Sequence, residues 1–239
     1  VLDKMITHYR MALEAALAPQ LAERGLLYSP ELSDEEGPWF IGPVPTVPGL
    51  TMAVYYVIQR LKEGHGLYVA ARLISAEVAQ VVRDMPRAAW MSEGPENDSS
   101  LGRVDLTLFN DHIDAGQYGL FPLHDMASVS DAAMWFTQCV RGPVGEWFSQ
   151  RNNLDKLTTL SRRPRPKAVN DPSPDPKRLR STVILCALNG RLAAAADLMG
   201  WYLQGDRFSR VDSFERATAF DTALGERFPG YVEARALMA

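Results

Sequence analysis

The sequence predicts an α+β fold: an N-terminal helix, a small antiparallel β-sheet and a helical C-terminal half. Three observations predict it. Residues 51–59 and 67–74 concentrate β-branched and aromatic types on either side of Glu63-Gly64-His65-Gly66, the signature of a hairpin. No strand–helix–strand rhythm follows them, which disfavours a doubly wound parallel sheet. Beyond Ser128 the apolar residues recur at helical rather than strand spacing.

Along the chain, Met5, Tyr9, Leu13, Leu17 and Leu21 form one helical stripe. Pro19 is expected to kink or restart that helix, and Gly25 to end it at the C′ position. Residues 30–49 hold five prolines and four acidic side chains around Trp39 and Phe40, and read as a long irregular loop with one short strand. After the hairpin, Ser75 is placed to cap a short helix that ends before Pro86. Residues 103–109 alternate, with Val104, Leu106 and Leu108 on one face, as in a half-buried antiparallel strand.

Ser128 followed by Asp131 resembles a capping box. The helix it would open buries Phe136, Val140, Val144, Trp147 and Phe148, with a break or restart at Gly142-Pro143. Five prolines within 161–177 predict an extended spacer. A helical pair joined near Asn189-Gly190 follows, then a last helix opening at Asp212 with Glu215 three residues on. The domain reading is therefore 1–160 as the sheet-bearing domain, 161–177 as a basic, proline-rich linker, and 178–239 as helices packed on the first domain.

The 239 residues are 46% hydrophobic and 23% charged, an ordinary globular composition that excludes disordered and collagen-like classes. No apolar run approaches the ~20 residues that span a bilayer. Cys139 and Cys186 are too few for a disulfide framework or a thiolate-only zinc site, and the expected compartment is the cytoplasm. The net charge of −4 conceals an asymmetry: residues 1–150 hold 10 basic and 19 acidic side chains, residues 151–239 hold 15 and 10. An acidic face suits a basic partner.

Catalytic signatures are absent from the sequence: no phosphate-cradling Gly-x-x-x-x-Gly-Lys, no Gly-x-Ser-x-Gly elbow and no His-Glu-x-x-His. The best chemical cluster is Asp111, His112 and Asp114 with His124 and Asp125, two imidazoles and three carboxylates in a loop after a strand. Such a set runs acid–base chemistry or binds a divalent ion, but its spacing matches no metal pattern, and loop carboxylates also serve as backbone caps. The basic run Arg162, Arg163, Arg165, Lys167, Lys177, Arg178 and Arg180 lacks interleaved aromatics, so a solvated linker is expected rather than nucleic-acid contact.

A resemblance adds to these readings. Leu17-Ala18-Pro19-Gln20-Leu21-Ala22-Glu23-Arg24-Gly25-Leu26 ends the first helix, Leu67-Tyr68-Val69-Ala70-Ala71-Arg72-Leu73 ends the hairpin, and Gly145-Glu146-Trp147-Phe148 precedes Asn153-Leu154-Asp155-Lys156-Leu157. In that order they resemble DUF4304-type bacterial domains and the small acidic immunity proteins of polymorphic toxin systems. The resemblance implies a non-enzymatic module that neutralises a cognate, basic toxin. The acidic half then supplies the partner-binding residues: Glu31, Asp34, Glu35, Glu36, Trp39, Asp111, His112, Asp114 and Asp125. No cofactor, metal or membrane enters this reading. Two alternatives stand beside it: an enzyme using Asp111, His112, Asp114, His124 and Asp125, and an accessory subunit of a larger complex that docks through the basic linker.

Overall fold

The computed structural model describes residues 4–33, 37–90, 119–164, 173–205 and 207–238, and 100–105 by their backbone. The fold is α+β. Its residues group into two units interleaved along the chain. One comprises 1–44, 51–73 and 102–150; the other comprises 45–50, 74–101 and 151–239.

The first unit opens with α1 (Lys4–Ala22), whose Tyr9, Leu13, Leu17 and Leu21 are buried. Pro19 does not break it. The proline removes only the N–H that would reach the Ala15 carbonyl, one turn before the helix ends, so the helix runs through. Gly25 (φ +74°) then closes the C-terminus, with Leu26 N–H donating to the Leu21 carbonyl at 3.0 Å and Gly25 N–H to that of Ala22 at 2.9 Å. Met5, expected on the buried stripe, lies outside it, 38% exposed.

Among the described residues the sheet has six strands: β1 (Leu27–Ser29), β2 (Trp39–Pro43), β3 (Thr51–Arg60), β4 (His65–Ile74), β5 (Ser100–Asp105) and β6 (Phe121–Leu123). The first five lie in chain order and β6 pairs with the start of β4. The β1–β2, β2–β3 and β4–β6 pairs are antiparallel. Of the strand expected at 103–109, residues 103–105 belong to a strand that begins at Ser100, and residues 106–109 fall outside the described residues.

Among the described residues of this unit, α3 (Ser128–Cys139) and α4 (Gly145–Ser149) follow, joined by a π-turn at Val140–Val144. Pro143 explains the wide turn, because it cannot supply a ladder N–H. The core lies where α1 and α3 meet the Tyr56 side of β3. The Tyr56 hydroxyl donates to the Arg10 carbonyl at 3.2 Å, and its ring meets Phe136 edge-on at 5.7 Å.

The second unit is helical: α2 (Ala76–Asp84), capped by Ser75, then a 3₁₀ turn at Arg87–Ala89, α5 (Leu154–Ser161), α6 (Pro176–Leu188), α7 (Leu192–Leu203), α8 (Phe214–Arg227) and α9 (Pro229–Ala236). The 161–177 segment is not extended throughout. Ser161 belongs to α5, Pro164 bridges Pro174, and Pro176 is already helical, since Asp175 accepts from the N–H groups of Lys177 and Arg178. Residues 165–172 lie outside the described residues.

Candidate partner-binding site

Of the nine residues the sequence nominates, Asp34, Glu35, Glu36, Asp111, His112 and Asp114 lie outside the described residues. Glu31 is exposed in the segment between β1 and β2. Trp39 opens β2 half-buried, its N–H donating to Ser33 Oγ at 3.0 Å, and in register it faces Tyr55 of β3. The two rings stack with centroids 4.3 Å apart and 11° between planes.

His124 and Asp125 are exposed just after β6. Asp125 acts on its own neighbourhood. Its Oδ1 accepts from Ser128 N–H at 3.0 Å while Ser128 Oγ donates to the Asp125 carbonyl at 2.5 Å. The start of α3 is therefore held by Asp125, not by the Ser128–Asp131 pair that the sequence suggests. Among the described residues, no hydrogen bond joins Asp125 to Glu31 or Trp39, and no group of His, Cys, Asp and Glu is arranged to hold a metal ion. Neither cysteine is a candidate nucleophile. Burial pushes the thiols of Cys139 and Cys186 up to about 12.

The feature sequence reasoning missed in this unit is a groove of about 620 Å³ between α1 and α3. Ala12, Ala16 and Ala133 let the surface recede, and Met126 and Met134 flank it, 44% and 55% exposed. Its floor is polar at one point: the Thr137 hydroxyl lies 3.0 Å from Gln20 Oε1 and 2.9 Å from the Ala133 carbonyl. Arg141 is also in the lining. Methionine at an exposed edge is a signal the sequence does hold, but it is legible only once the buried stripe of α1 is known.

In the second unit the basic cluster is rearranged. Arg180, counted with the linker cations, is fully buried and pairs with Asp212 at 2.5 Å, also fully buried. Its Nη1 donates to the Ala89 carbonyl at 2.5 Å, and the Tyr202 hydroxyl donates to the other Asp212 oxygen at 2.7 Å. Burial lowers the guanidinium's affinity for its proton, and Asp212 counteracts this. The sequence signal is that Arg180 shares a helical face with Ile184 and Ala187, both buried.

Some of the cations that remain outside are tied locally, while Arg165 and Lys167 lie outside the described residues. Arg162 pairs with Asp197 at 2.5 Å, Arg178 donates to the Arg163 carbonyl at 2.9 Å, and Arg207 lies 4.5 Å from the Trp201 ring centroid. Burial, and secondarily Arg178, pulls the Arg151 guanidinium down to about 10.

Counted by unit rather than by halves of the chain, the first holds 14 acidic and 8 basic side chains, net −6. The second holds 15 and 17, net +2. Comparison of the chain with protein-family models, with curated proteins and with solved structures found no match. None of the described helices is long and apolar enough to cross a membrane.

Proposed function

We propose that this chain is a non-enzymatic binding module whose sheet-bearing unit receives a basic protein partner in the α1/α3 groove. The resemblance to immunity proteins points to a cognate bacterial toxin, neutralised in the cytoplasm by masking. The observation that carries the reading is the methionine-edged groove on the unit with net charge −6. Exposed methionines adapt to varied apolar surfaces, and small residues allow a partner's backbone close approach. Glu14, Asp125 and Asp131, on or beside the two helices, attract a cationic rim, while the apolar edge supplies the anchors.

Co-expression with the product of the adjacent reading frame tests this. The expected outcome is relief of growth arrest and a stoichiometric complex whose affinity falls roughly tenfold or more between low and moderate salt. The double variant Met126→Glu/Met134→Glu, folded by its circular dichroism, is expected to lose both the complex and the protection. A complex indifferent to that variant, or no complex at all, overturns the proposal.

A further inference from the structure

The α1/α3 groove restricts both the shape and the direction of what it can hold. Its two helices run the same way. Tyr9, early in α1, meets His65 edge-on at 5.6 Å, and His65 is the register partner of Leu123, just before α3. Gln20, near the end of α1, meets Thr137, near the end of α3. One end of the groove therefore lies by the start of both helices and the other by their ends.

Its walls offer little to an extended chain. From Ala12 to Gln20 on α1 and from Val129 to Gln138 on α3, the lining residues lie inside helices, whose N–H and C=O groups are spent on their own ladders. The carbonyl that Pro19 leaves open belongs to Ala15, which is not in the lining. On the floor, Thr137 is engaged with Gln20 and the Ala133 carbonyl, and Gln20 Nε2 donates to the Ala16 carbonyl at 3.0 Å. A strand laid here would bury backbone groups without partners, at a cost for each one. A helix arrives with its own backbone paired, and the small residues of the floor let it approach.

Charge sets the direction. Asp125 and Asp131 stand by the start of α3, and Arg141 lines the groove just past its end; all three are exposed. A helix carries cations favourably in its last turn and anions in its first. Both preferences are met when the incoming helix runs antiparallel to α1 and α3, with its last turn over the aspartates and its first over Arg141.

We infer that the groove receives an α-helix of the protein partner, about three turns long and antiparallel to α1 and α3, with cationic side chains in its last turn. The length matches α3, which has 12 residues and spans about 18 Å. This rests on the groove being the partner's seat, as proposed above, and specifies the occupant.

Ser130→Cys and Gln138→Cys introduce thiols on two exposed lining positions of α3, while the native thiols are buried. Each variant is labelled with benzophenone maleimide and irradiated in complex with the product of the adjacent reading frame, and the crosslinked partner residues are located by mass spectrometry. The expected result is two sites about eight residues apart in one segment, the Gln138 site N-terminal to the Ser130 site. Glutamate substitutions along that segment should weaken the complex by about tenfold or more at spacings of three and four residues. Sites about four residues apart, with sensitivity at alternate residues, mean an extended segment and overturn the inference while leaving the groove as the seat. The reverse order of sites overturns it as well. A complex that is labelled from neither position, or no complex at all, removes the role of the groove itself and the helix with it.

Discussion

Arg180 and Asp212 meet at 2.5 Å with both side chains fully buried, and each of the carboxylate's oxygens is occupied. Oδ1 takes Arg180 and the Ser213 N–H at 2.9 Å, and Oδ2 takes the Tyr202 hydroxyl. The guanidinium lies 5.1 Å from the Phe220 ring centroid and 5.7 Å from that of Trp90. One ionic group thereby joins α6, α7, the approach to α8 and the 3₁₀ turn. A buried pair contributes little net stability beside an apolar replacement, but losing one partner strands the other.

Arg180→Leu and Asp212→Leu are each expected to destabilise the fold by about 3–5 kcal/mol, because each leaves an uncompensated buried charge. The double variant should cost much less than the two together, since no charge is then stranded. Tyr202→Phe removes one donor from a carboxylate that keeps its others, and should cost about 1–3 kcal/mol. Urea unfolding of the four variants checks this. Additive single and double losses would show that the pair is not coupled.

Four described helices of the second unit begin with a side-chain cap: Ser75 on α2, Asn153 on α5, Asp175 on α6 and Ser213 on α8. Replacing each by alanine is expected to cost about 0.5–2 kcal/mol in urea unfolding. Asp175→Ala should lie at the upper end of that range, because this cap receives two N–H groups and also faces the helix dipole as a carboxylate. Its replacement by asparagine should recover most of the loss.

Gly37 precedes β2 and lies against β3 so closely that a Cβ at this position would overlap the Tyr56 carbonyl. Backbone cannot swing aside as a side-chain tip can. Gly37→Ala is therefore expected to lower the thermal midpoint far more than Gly142→Ala, where a Cβ meets nothing within 4 Å. Differential scanning calorimetry of the two variants makes the comparison. Equal midpoints would show that the approach of 37 to Tyr56 is not obligatory.

The elements legible in the sequence are those fixed by local rules. The hairpin, the Ser75 cap, the Gly25 terminus and the Gly190 turn (φ +70°) each follow from residue types within a few positions of one another. The misplacements are local competitions. Asp212 looks like the cap of α8, yet Ser213 takes that role because Asp212 is drawn into the buried pair by residues far away in sequence. Asp125, a candidate site residue in the sequence, accepts from the Ser128 N–H at the start of α3, as loop carboxylates often do. The α1/α3 groove and the stacking of Arg72 over Trp39 and Tyr55 are not legible from local pattern alone. Each depends on a juxtaposition of elements separated by tens of residues, with no periodic trace in either one.

Burial also sets how the fold responds to alkali. Desolvation raises Cys139 and Cys186 from an ordinary thiol value of 9.0 up to about 12. It likewise raises Tyr56, Tyr202 and Tyr231, the last two with added pressure from Asp212 and Asp221 respectively. All five are neutral when protonated, and all hold their proton more tightly folded than unfolded. Below the unfolded values both states are protonated and stability is flat. As pH rises past about 9 the unfolded chain ionises first, so each raised group removes stability at about 1.4 kcal/mol per pH unit until its folded value is reached. Chemical denaturation between pH 8 and 12 should therefore show stability falling from the thiol onset and steepening once the tyrosines join near 10. The double variant Cys139→Ala/Cys186→Ala, although less stable at neutral pH, should lose stability less steeply between 9 and 10. Ellman's reagent should find neither thiol reactive in the native protein at pH 8 and both reactive in denaturant. Prompt native labelling would mean that burial does not suppress these thiolates.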